Sequence, residues 1–163
     1  MNNRKETIRS ALNKENGVLL WENFLNKLIN ILGHKNKVEK RRDMRLWHEL
    51  LIEKLPREQL LGQHRECCAL RGKGWGRPHS TVDYVFDYSP YKLFQYHLLI
   101  LREMKVRGYH PDEKWDNSLY RGQISEAYLE LKAVVWTFPI YPEHNDAYLE
   151  SCRENLRQKG ILL

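Results

Sequence analysis

The stretch Met44–Leu70, MRLWHELLIEKLPREQLLGQHRECCAL, decides how this chain folds. Its first half is apolar-rich, with Leu46, Trp47, Leu50, Leu51, Ile52 and Leu55. Helix and extended structure are both open to that first part. Pro56 suits the first turn of a helix, and Glu58 suits the positive end of the helix dipole. The spacing therefore predicts a helix from about Pro56 to about Leu70. Such a helix carries Gln63, His64, Arg65 and Glu66 back towards the residues just after Met44. A nucleophile at the start of the stretch and the Glu66 carboxylate would then share one site.

Downstream, RGKGWGRPHS (Arg71–Ser80) reads as a glycine-rich basic loop that breaks the helix. It has neither the spacing nor the leading strand of a nucleotide-binding loop. Arg71, Lys73 and Arg77 surround Trp75, which suits a nucleic-acid backbone as well as it suits a plain surface loop. TVDYVF (Thr81–Phe86) is a short strand or a turn of helix. Ser89-Pro90 is an N-cap with proline at the first helical position, opening a helix to about Arg107 that Gly108 ends. Leu93, Tyr96, Leu99 (or His97 and Ile100) and Met104 recur along it at helical spacing, as a central core element would. His110–Asn117 reads as loop, and Ile124–Trp136 as a further helix capped by Ser125. Thr137–Pro142 is an extended connection. Asn145–Gln158 is the last helix, with an apolar row of Tyr148, Cys152 and Leu156, and with Arg153 and Arg157 four apart on one face.

Upstream, residues 1–43 read as a separate piece. Val18, Trp21, Leu25, Leu28 and Leu32 fall on one helical face, Gly33 stops it, and a charged run follows. Native translation is expected to start at Met44. The charge supports a boundary there: residues 1–43 hold ten Lys/Arg and five Asp/Glu, or +5, against seventeen and sixteen, or +1, for residues 44–163. The net +6 is thus mostly a property of the first quarter, and composition alone argues little for nucleic-acid binding by the rest. No apolar run is long enough for a membrane span, and no secretory signal is visible. The three cysteines show no metal-ligand spacing, so reduced thiols in the cytoplasm are expected and no metal or cofactor is called for.

Residues 44–163 resemble the pyrimidine-dimer DNA glycosylase family, the endonuclease V type first known from a bacteriophage. The likeness is carried by MRLWHELLIEKL, LLGQHRE (Leu60–Glu66), HSTVDYVF (His79–Phe86), SPYKLFQYHLLILREMKVRGY (Ser89–Tyr109), LYRGQ (Leu119–Gln123) and YPEHNDAYLESCRENLRQK (Tyr141–Lys159). It closely resembles a bacterial subgroup beginning MRLWHE. Each motif alone is weak, and their joint order is specific. The resemblance implies an all-α fold: a compact single domain of three to four main helices with long irregular loops, here behind an N-terminal helical extension. It also implies chemistry: the amine of the first residue, Met44, attacks C1′ of a damaged nucleotide, an imine forms, and β-elimination breaks the strand. The family's essential glutamate falls on Glu66. Its DNA contacts fall on Arg45, Arg65, Arg153 and Arg157; His64 either faces the same site and DNA or serves packing. The partner is then lesion-bearing double-stranded DNA in the cytoplasm, at the nucleoid, and the protein is expected to act as a monomer. The alternative is a nucleic-acid-binding module that keeps this surface without cutting.

Overall fold

The computed structural model describes residues 45–72 and 81–163. The chain divides into two units at Asp43/Met44, and the account here is of the second. The expected helix over Val18–Leu32, Met44 itself, Lys73, Trp75 and Arg77 lie outside the described residues.

The fold is helical, with no strand among the described residues. Three α-helices, α1 (Arg57–Arg71), α2 (Pro90–Val106) and α3 (Asp146–Gln158), are joined through 3-10 segments at Glu49–Lys54, Asp83–Asp87 and Glu113–Asp116. No helix among the described residues is long and apolar enough to cross a membrane.

Local chemistry explains each boundary. Pro56 caps α1 and contributes no N–H where none has a partner. Ser89 accepts the Tyr91 amide, and Pro90 fills the first helical position of α2. Asn145 accepts the Tyr148 amide to start α3. Beyond α2, Gly108 turns the chain at φ +78°, a backbone conformation that glycine adopts without Cβ strain.

The core lies where α1 and α2 pack together and the Glu49–Lys54 segment closes over them. Leu46, Leu51, Leu55, Leu60, Tyr96, Ile100 and Leu156 are buried there. On α2 the buried stripe is Leu93, Tyr96, His97, Ile100 and Met104, while Leu99 is only partly buried. Arg107 closes the far end, donating to the carbonyls of Leu55 (2.6 Å) and Glu53 (2.9 Å) and pairing with Glu103. Cys67, Cys68 and Cys152 are all free thiols.

One expected element is absent. Residues 124–136 form no helix. Helices in proteins are stabilised mainly by burying an apolar face, and here Ile124, Leu129 and Val135 are 89%, 102% and 82% exposed. The segment is instead fastened from outside: Gln95 donates to Val134 O (2.9 Å), and the Tyr128 amide donates to Leu119 O (3.0 Å). The adjacent β-branched pair Val134-Val135 adds a poor local propensity.

Candidate active site

Residues 45–49 form a short segment clamped from every side. The Trp47 amide donates to Gln63 Oε1 on α1 (2.7 Å), and the Trp47 carbonyl accepts from the Tyr96 hydroxyl on α2 (2.5 Å). The Leu46 carbonyl accepts from the Tyr148 hydroxyl on α3 (2.7 Å). His48 donates through Nε2 to the His144 carbonyl (2.9 Å), because its Nδ1 accepts the Leu50 amide. Glu49 accepts from the Ile140 amide (2.6 Å) and from Nδ1 of His144 (2.8 Å). His144 in turn takes the Tyr84 hydroxyl at Nε2 (2.6 Å) and stacks on Tyr148 at 4.9 Å. Burial works against the Glu49 charge, yet the bonds from His144 and the Ile140 amide hold its carboxyl below the usual range.

This clamp delivers the segment to Glu66. Gln63 Nε2 donates to Glu66 Oε2 (3.0 Å), and the Arg45 amide hydrogen-bonds the same carboxyl. The start of the described segment, at Arg45, therefore lies against Glu66. Burial pushes the Glu66 carboxyl up to about 7, against the Arg45 amide, the Lys159 and Arg65 charges, and the Gln63 bond. A carboxyl with that affinity can both take and give a proton near neutrality. The Lys159 ammonium stands 5.0 Å above the ring of Trp47.

The cations expected to contact DNA are differently disposed. Arg65 is exposed on α1, one residue before Glu66. Arg45 reaches α3, donating to Ser151 Oγ (3.2 Å) and standing 5.9 Å over the Tyr148 ring. Arg153 and Arg157 are half-exposed and pair with Glu150, and Arg157 also with Glu154. Exposed pairs of this kind contribute little to stability and exchange readily for phosphate.

Arg71 is turned inward and presents nothing to a DNA surface. Only 5% of it is exposed. It ends α1 instead of opening a basic loop, and its guanidinium donates to the carbonyls of Trp115 (2.8 Å), Asn117 (2.6 Å) and Tyr120 (3.0 Å). Its remaining bond goes to Nδ1 of His97 (3.1 Å). His64 is tied into the same interior, with Nδ1 2.9 Å from Nε2 of His97.

His64, Cys68 and His97 bring two imidazoles and a thiol within 4.8 Å of one another. Arginine can only donate, so His97 Nδ1 accepts and its Nε2 carries the proton, which goes to His64 Nδ1. A metal at His97 Nε2 would force a proton onto Nδ1, facing the guanidinium. The trio is therefore a hydrogen-bonded chain that ends on an arginine, and a poor seat for a cation. Burial, with Arg71 and its neighbours, holds both imidazoles neutral, and burial raises the Cys68 thiol to about 12.

Residues 44–117 match the pyrimidine dimer DNA glycosylase family. The match takes in the clamped segment, α1 with Arg65 and Glu66, and α2, and it stops before α3. No curated protein and no solved structure matches the chain. The glycosylase-family segment thus contains the carboxyl and the residue beside it, while the clamp's other half, His144 and Tyr148, comes from outside the match. His144 and Lys159 were not singled out by sequence reasoning, and Tyr148 was read only as part of an apolar row on the last helix. His144 meets Glu49 across 95 residues, a separation that no local pattern records.

Proposed function

We propose that this chain is a DNA repair glycosylase with abasic-site lyase activity, acting on pyrimidine dimers. The observation that carries the reading is the bond between the Arg45 amide and Glu66. It brings the start of the described segment to a carboxyl that titrates near neutrality, which supports a reading in which the preceding residue supplies the amine.

In a chain that starts at Met44, that nitrogen is an α-amine, with an ordinary pKa of about 7.7–8.0, so a sizeable share is neutral at cellular pH. The neutral amine attacks C1′ of the damaged nucleotide and the base departs. The resulting imine acidifies the C2′ proton, whose removal expels the 3′ phosphate and breaks the strand. Water then hydrolyses the imine and returns the amine. Glu66 stabilises the positive charge developing on the sugar and carries protons between these steps. Arg65 on α1 and Arg153 and Arg157 on α3 take phosphates, the latter two by leaving Glu150 and Glu154. A dimer already weakens pairing, which lowers the cost of turning a nucleotide out of the duplex.

A second reading follows from the 163-residue chain itself, in which the residue 44 nitrogen is an amide. Such a protein binds lesions on the same surface without cutting. Borohydride trapping of the Met44-start protein on abasic-site DNA separates the two readings. The glycosylase reading requires a covalent adduct on residue 44 and its loss in Glu66→Gln, with lesion binding kept within a few-fold. DNA binding with no adduct would leave the binding module.

A further inference from the structure

We propose that Lys159 is a second imine-forming amine of this site, serving when residue 44 stands in peptide linkage. The inference rests on the reading that Glu66 works on an abasic sugar.

Lys159 follows directly on the last turn of α3 and is exposed. Its ammonium stands over the Trp47 ring at 5.0 Å. The Trp47 amide binds Gln63, and Gln63 binds Glu66. Trp47 and Gln63 therefore link the residue under the amine to the carboxyl, and the Lys159 charge is felt at Glu66. Among the cations that bear on Glu66, Lys159 acts most strongly.

The chemistry needs no component beyond the DNA and water. Neutral Lys159 adds to the C1′ aldehyde of an abasic site, and the carbinolamine loses water to give an iminium. Glu66 removes a C2′ proton, the electron pair expels the 3′ phosphate, and hydrolysis of the imine restores the lysine. A lysine normally holds its proton to about 10.4, roughly six units above an ordinary carboxyl. Burial of Glu66 raises the proton affinity of its carboxyl, so proton transfer from an ammonium to it is less uphill than to an ordinary carboxylate. The lysine route should still be slower than the α-amine route, on the order of 100-fold at pH 7.5, because little lysine is neutral there.

The test uses the full 163-residue chain, abasic-site duplex and borohydride, with the adduct mapped by peptide mass spectrometry. Arginine keeps the charge and forms no imine, so Lys159→Arg is the discriminating variant. The expected result is an adduct on Lys159, seen also as lost tryptic cleavage after residue 159, and a fall of roughly 100-fold in trapped complex in Lys159→Arg. An adduct on another residue, or undiminished trapping in Lys159→Arg, overturns the inference. So does trapping by the Met44-start protein alone, an outcome that leaves the proposed function standing. No adduct with either protein overturns both.

Discussion

The Arg45 amide and the Glu66 carboxyl are joined by a hydrogen bond, although the two residues belong to different elements and Glu66 is otherwise mostly desolvated. The relationship ties stability and chemistry to a single group, and the two can be measured separately.

Glu66 should weaken the fold at neutral pH. Its folded pKa, about 7, lies above the ordinary 4.5, so folding favours the protonated acid. Stability is complete below about pH 4.5 and falls as pH rises through 7, by at most about 3 kcal/mol. Glu66→Gln should therefore unfold at a higher temperature than the parent at pH 8 and at nearly the same temperature at pH 4.5. A variant less stable than the parent at pH 8 would show that the carboxyl is not desolvated as described.

Lys159 should set the acid limb of the rate profile. In the Met44-start protein, strand cleavage is expected to rise with pH as Glu66 ionises. The Lys159 charge favours the ionised form, so Lys159→Met should move that limb to higher pH. A limb that stays in place, or moves down, would separate Lys159 from Glu66.

Tyr148 should matter more to rate than to binding. Its hydroxyl is the donor to the Leu46 carbonyl, which holds the start of the described segment against α3. Tyr148→Phe leaves that carbonyl without this partner, at a cost of about 1–3 kcal/mol. Single-turnover cleavage should fall roughly tenfold or more while DNA affinity stays within a few-fold. Equal losses in rate and affinity would assign Tyr148 to binding instead.

Arg71 and Arg65 should behave as opposites. Arg71→Lys loses the fork that ties α1 to the Trp115, Asn117 and Tyr120 carbonyls, and should cost about 2 kcal/mol or more in denaturant unfolding. Arg65→Ala should leave unfolding unchanged within about 0.5 kcal/mol. It should weaken DNA binding and flatten its salt dependence by about one ion. A reversed pattern would overturn the interior placement of Arg71.

Much of the helical frame was legible because its punctuation is local. Pro56, Ser89-Pro90, Gly108 and Asn145 mark their boundaries through properties of single residues. The expected helix over Ile124–Trp136 failed for the opposite reason: its apolar residues have helical spacing but no surface to cover. Arg71 shows the same limit at one residue. Beside glycines and cations it reads as part of a basic loop, and only the carbonyls that converge on it reveal an interior anchor. The pairing of Glu66 with the start of the segment was readable, since one helix register sets it. The Glu49–His144–Tyr148 support was not, because it joins the two ends of the unit.

The chain of Arg71, His97 and His64 has a consequence for experiments. With its tautomers fixed by a permanent cation at one end, neither imidazole can take up a second proton without breaking the line. His48, held neutral by burial between Leu50 and His144, behaves likewise. Burial biases these three side chains towards the neutral form in the range where histidines usually ionise, so their share of a titration curve recorded there is reduced.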